Sequence, residues 1–146
     1  MKELIQIMKT IDASRCYEIR KNVFIIEQGV PKDLELDEYD KSAMHVLALY
    51  DSKAVGCARV REFSDYYKVE RVAVLREFRG KGIAREIMLF IENDIVCKKK
   101  DIVLNAQASV IDFYTKLGYV GEGKRFMEAG IEHLKMKKTS NFGGLS

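Results

Sequence analysis

The sequence is short of most features that would force an unusual architecture. Its single proline, Pro31, leaves long elements free to run uninterrupted. Its three cysteines, Cys16, Cys57 and Cys97, are widely spaced and form no C-x-x-C pair. That argues against a disulfide framework or a zinc site, so no metal is expected, and a reducing cytoplasm fits best. No apolar run approaches the roughly 20 residues that cross a bilayer. The opening MKELIQIMKT lacks the apolar stretch of a secretory signal. The expectation is a cytoplasmic protein without a membrane partner. No repeat, low-complexity linker or domain boundary is visible. Lys plus Arg is 25 against 22 for Asp plus Glu, and a surplus of +3 is too small to argue for nucleic acid. What remains, 146 residues with 47% hydrophobic and 32% charged, is the mix of one globular domain over 1–146, with a loose tail at 139–146.

The charge is unevenly placed. Residues 33–40 hold Asp33, Glu35, Asp37, Glu38 and Asp40 and no base. Residues 76–85 hold Arg76, Arg79, Lys81 and Arg85 against Glu77, and the same window carries Gly80 and Gly82.

Periodicity orders the elements. Residues 3–8 alternate weakly as a strand. Asp12 or Ser14 can cap a helix running to about 27. Residues 28–42 read as a loop, 44–63 as a β-hairpin and 67–74 as a strand. Ile83, Ile87, Ile91 and Ile95 recur every four residues and predict a helix over about 81–97, with Cys97 at its end. Residues 101–106 make another strand. Ser109 and Asp112 resemble a capping box ahead of a helix bearing Val110, Phe113, Tyr114 and Leu117 on one face. Strands at 119–126 and 131–137 follow. The order β-α-β-β-β-α-β-α-β-β implies a mixed α/β fold with local parallel pairing.

Arg79-Gly80-Lys81-Gly82-Ile83-Ala84 joins a strand to the strongest helix. A helix N-terminus presents unpaired N–H groups and favours anions, and glycine lets a phosphate come close. Pyrophosphate is the natural ligand. The P-loop pattern is absent, and G-x-G-x-x-G fails because position 85 is Arg. A tight turn with a basic exposed face is the plain alternative.

Val72-Ala73-Val74 followed by Arg79 to Ala84 resembles motif A of the GNAT acyltransferase superfamily, Q/R-x-x-G-x-G/A, through Arg79, Gly82 and Ala84. Asn105-Ala106-Gln107 followed by Tyr114-Thr115-Lys116-Leu117-Gly118-Tyr119 resembles its motif B. The segments Val23–Pro31, Ala43-Met44-His45 and Gly130–Leu134 further resemble the small bacterial ElaA-like branch. The resemblance covers roughly 2–138. It implies a central twisted mixed sheet of about six to seven strands flanked by helices, and acetyl transfer from acetyl-CoA to an amine by direct attack.

The roles that follow are what the resemblance implies. The backbone of Val72 and Val74, flanking Ala73, would pair with the pantetheine arm. N–H groups of Arg79, Gly80, Lys81, Gly82, Ile83 and Ala84 would hold the pyrophosphate. Strands near 67–74 and 101–106 would splay, and an N–H near Val74 could polarise the thioester carbonyl. Tyr114 matches the motif B general acid, or is a core tyrosine. Asn105 would bind pantetheine or a water. For the base, Glu70 stands four residues before Val74 in the same strand, so alternation puts both on one face. It could equally pair with Arg59, Arg61 or Arg71. His45, His133 and water are the other candidates, while Glu27, beside Gln28, could close an acceptor pocket or simply be solvated. The acidic run is a solvated loop or a rim attracting a cationic amine acceptor. Edge strands near the C-terminus could pair in a homodimer. Two other classes stay open: a CoA- or acyl-CoA-binding sensor without turnover, and, more distantly, a basic nucleic-acid module using 98–100 and 76–85.

Overall fold

The computed structural model describes residues 4–95 and 99–139. Seven strands, β1 (Ile5–Thr10), β2 (Met44–Tyr50), β3 (Lys53–Glu62), β4 (Tyr66–Val74), β5 (Asp101–Gln107), β6 (Val120–Glu128) and β7 (Ile131–Lys138), form one sheet ordered β1-β2-β3-β4-β5-β7-β6. Every neighbouring pair is antiparallel except β4 and β5. The mixed sheet and the predicted order of the main elements are thus the observed ones. The β4–β5 crossover runs through the four-residue stripe, now α3 (Ile83–Ile95), and yields a parallel pair. The next crossover, through α4 (Ile111–Lys116), does not: β7 inserts between β5 and β6.

The periodic isoleucines explain where α3 sits. Ile83, Ile87, Ile91 and Ile95 are all buried and pack with Met88 against Val46, Ala48, Val55, Val69 and Leu104. Each such side chain contributes about 1.5–3 kcal/mol on leaving water. The opposite face is covered by α1 (Ser14–Arg20), whose Cys16 and Ile19 meet Leu47, Cys57 and Ala73. Asp12 Oδ1 accepts the Ser14 N–H at 3.0 Å, but the N-cap position is Ala13, without a side-chain cap, so neither Asp12 nor Ser14 caps the helix as expected. Past Arg20 the helix widens to π-helical spacing over Lys21–Glu27, and the Gln28 N–H reaches the Val23 carbonyl five residues back at 3.1 Å.

Some local expectations need correction. The 28–42 loop contains α2, a single turn at Lys32–Glu35, and a 3-10 turn at Glu38–Lys41 closed by an Asp37–Asp40 capping box. Ser109 caps nothing: it lies inside a 3-10 turn, Ala108–Val110, and α4 starts without a side-chain cap. Cys97 and the tail from 140 onward lie outside the described residues.

Strand β4 carries the most consequential departure. Arg59 pairs with Glu70 and Cys57 with Ala73, so Arg71 and Val72 together oppose Ala58. This is a β-bulge, and Arg71 takes φ 58° within it. The extra residue breaks the alternation. Val69 and Val74, five apart, both face α3, and Ala73 faces α1. Glu70 therefore lies on the face opposite Val74, not on the shared face that strict alternation predicts.

Candidate active site

The sheet opens where β4 and β5 stop pairing. Their register runs from Tyr66↔Asp101 to Val69↔Leu104 and no further. Beyond it β5 stays with β7 through Asn105↔Lys135 and Gln107↔His133, and β4 stays with β3. The residues expected to splay do so, from 70 and 105 onward. The Leu75 N–H donates to the Val55 carbonyl at 2.8 Å, so alternation turns Ala73 toward β3 and the peptide groups of Val72 and Val74 toward the gap.

At the wide end of the gap lies the glycine-rich turn. Gly80 and Gly82 have φ of 81° and 82°, a conformation that side chains with a Cβ resist. A Cβ at either would meet nothing within 4 Å, so backbone conformation alone demands glycine and the space beside the turn is open. The first N–H groups of α3 point into that space. Arg76 and Arg85 are exposed beside it, and Lys81 Nζ sits 5.4 Å over the Tyr50 ring. Chemically this is an anion cradle.

Arg79 behaves differently from its neighbours. Its Nη1 and Nη2 donate to Glu27 Oε2 and Oε1 at 2.7 and 2.8 Å, and its Nε donates to the Val74 carbonyl at 2.9 Å. The hydrogen bonds between them lower the Glu27 carboxyl and raise the Arg79 guanidinium from their ordinary pKa values. Next to Glu27, the Gln28 amide oxygen accepts from Gln107 Nε2 at 2.9 Å. Gln107 was within the quoted motif but had no role from sequence. Nothing local to it signals a partner 79 residues away.

Tyr114 is buried on α4, edge-on to Phe113 at 4.9 Å and to Tyr119 at 5.8 Å. Burial pushes its phenol well above the ordinary value, so it holds its proton throughout the neutral range. Tyr119, the last motif B residue, donates to Glu92 at 2.7 Å in the core. Asn105 is half-buried on the α1 face of the sheet, in a groove of about 400 Å³ with Lys68, Val103 and Lys135.

Glu70 meets its alternative partners. Arg59 Nη2 lies at 3.0 Å, Arg61 Nε at 2.8 Å and Lys68 Nζ at 3.6 Å. Burial would raise its pKa, but these three cations outweigh burial and hold it below the usual carboxylate range. His45 Nε2 donates to the Asp40 carbonyl at 2.8 Å, and its Nδ1 is buried without a partner. His133 Nδ1 donates to the Ile131 carbonyl at 2.7 Å, which leaves Nε2 as its lone-pair nitrogen.

The acidic run is neither a solvated loop nor a free acidic rim. Arg20 and Arg59, each 1% exposed, are buried beneath it. Arg20 binds Glu35 at 2.8 Å and Asp40 at 2.7 Å; Arg59 binds Asp37 at 2.6 Å and Asp40 at 3.0 Å. Arg71, turned by the bulge, adds Glu35 at 3.1 Å and Asp37 at 3.4 Å. Three of the five acids are therefore neutralised internally. The one available signal was Arg20 in an otherwise apolar helical stripe with Cys16, Ile19 and Val23.

A seven-stranded sheet that parts beside a glycine-rich helix start is the fold that the motif resemblance implies. The sequence agrees: residues 11–140 match the acetyltransferase (GNAT) domain family, and the chain belongs to that family. The chain is 26% identical over 127 residues to Escherichia coli protein ElaA, covering 83% of each. It is 37% identical over 124 residues to a Bacillus subtilis protein named uncharacterized N-acetyltransferase YjcF, covering 84% of this chain and 89% of that one. The crystal structure of Escherichia coli ElaA superposes with a TM-score of 0.80 at 22% identity, over 94% of this chain and 99% of that one. A GNAT family acetyltransferase from Elizabethkingia anophelis, solved with acetyl-CoA bound, shares the fold at a TM-score of 0.73 and 17% identity, over 92% and 97% of the two chains.

Proposed function

We propose that this chain transfers an acetyl group from acetyl-CoA to a primary amine of a small molecule or protein, by direct attack within a ternary complex. One coincidence carries the proposal: the strands part next to the turn that bares its N–H groups. A pyrophosphate at residues 79–84 would send a pantetheine arm into the gap, against the peptide groups of Val72 and Val74. The thioester supplies an activated acyl carbon and a good leaving thiolate. Asn105, at the start of the splay, would hold the arm or a water.

The amine must lose a proton and the thiolate gain one. Tyr114, kept protonated by burial, is proposed as the acid. Glu70, the base expected from sequence, is a weak proton acceptor while Arg59 and Arg61 hold it. His133, opposite Gln107 at the open end of β5, offers Nε2 as the alternative base.

The same saturation of Glu70 favours a second reading, a CoA-binding sensor of this fold without turnover. A thiol-release assay over a panel of amines and peptides separates the two. Turnover with any amine excludes the sensor. Tyr114→Phe should then lower kcat by about a hundredfold, the low end for a lost acid, while acetyl-CoA affinity stays within about twofold. Unchanged turnover would remove Tyr114 from the acid role.

A further inference from the structure

We infer that Glu27 and Gln28 are positioning residues whose side chains form a strut across the parted strands and fix the width of the acetyl-CoA slot. The inference rests on the cofactor site proposed above. Strands β4 and β5 end at Val74 and Gln107, and no sheet pairing joins them beyond Val69 and Leu104. Two adjacent side chains reach both banks. Glu27 grips Arg79 through both oxygens, and Arg79 Nε holds the Val74 carbonyl at 2.9 Å. Gln28 takes the Gln107 amide at 2.9 Å. The path from one strand end to the other is Val74, Arg79, Glu27, Gln28, Gln107.

The strut is anchored at its base. The π-helical turn packs through buried Val23. The chain just after it is tied back by Gly29 N–H to the Ile25 carbonyl at 3.1 Å and Val30 N–H to the Phe24 carbonyl at 2.8 Å. A slot held at one width needs no ordering when the cofactor enters, which favours affinity. The arrangement also commits the Arg79 guanidinium fork to Glu27. Beside the turn, Lys81 and the exposed Arg76 and Arg85 are the other side-chain cations, and Arg76 also lies 3.4 Å from Glu27.

A sign test follows. Glu27→Gln removes a negative charge beside the site of a polyanion, so charge alone would tighten acetyl-CoA binding. A strut that loses its grip weakens it instead. Calorimetric titration should give a Kd about three- to tenfold higher for Glu27→Gln, with KM rising alike and kcat within about twofold. Gln28→Ala and Gln107→Ala should each raise Kd by about two- to threefold, and the double variant should be no worse than either single one. Arg79→Lys keeps the charge and loses the fork, so it should weaken binding as Glu27→Gln does even if that variant fails to fold. Failure of the unaltered protein to bind acetyl-CoA would overturn the cofactor site itself. Binding by that protein, with equal or tighter binding by Glu27→Gln or Arg79→Lys, would overturn the strut alone.

Discussion

Residues 33–40 carry five acids and residues 76–85 four bases against one acid, and the fold uses the two windows in opposite ways. The acidic window is folded inward. Glu35, Asp37 and Asp40 close on Arg20, Arg59 and Arg71, which come from three other elements. The basic window stays outward. Arg79 is tied to Glu27, while Arg76 and Arg85 remain exposed around a turn with open space beside both glycines. The difference lies in how the backbone is paired. The acids fold over β3 and the bulged stretch of β4, where buried arginines already meet them. The bases stand where the sheet has parted and a helix begins, with N–H groups unspent.

The largest way to break this contrast is to open the inward network. Arg59→Met leaves Asp37, Asp40 and Glu70 without their shared partner, and loss of one member of a buried ion pair costs about 3–5 kcal/mol. Urea unfolding should show that loss, and a change below about 1 kcal/mol would mean the network is as weak as an exposed one. The outward turn should give the reverse pattern. Gly82→Val must hold a β-branched residue at φ 82°, which reshapes the turn while the core stays intact. Acetyl-CoA affinity should fall by about tenfold or more, with the melting temperature of the free protein lowered by only a few degrees. Unchanged affinity would move the phosphates elsewhere.

The smallest expected effect near neutrality is that of pH. In the folded state Asp37, Asp40 and Glu70 all lie below their ordinary values, because their arginines overcome the upward push of burial. A depressed folded-state pKa stabilises above the unfolded value and is lost as pH falls through the folded one. The melting temperature should therefore be flat from about pH 8 to 5 and fall below about pH 4. A rise on acidification would contradict the ion-pair assignment.

What was legible in the sequence was what repeats locally. The four-residue isoleucine stripe placed α3, the hairpin at 44–63 formed, and the glycines marked a turn that does take left-handed φ. The parting of β4 from β5 followed from the family resemblance. Illegible features depend on distant partners or one extra residue. Arg71 carries no local sign that it will bulge, and without the bulge Glu70 is assigned to the wrong face. The partners of Arg59 lie 19 and 22 residues before it and 11 after it, so its burial cannot be read from its own strand. The widening of the first helix is likewise silent, although it places Glu27 and Gln28 at the slot.

The contrast between the two windows is tested most directly by amide hydrogen exchange with and without saturating acetyl-CoA. The account predicts new protection at 79–84 and at Val72 and Val74, with residues 33–41 unchanged because their bonds are already made. Protection confined to 33–41, or none at 79–84 under conditions where acetyl-CoA is bound, would contradict it.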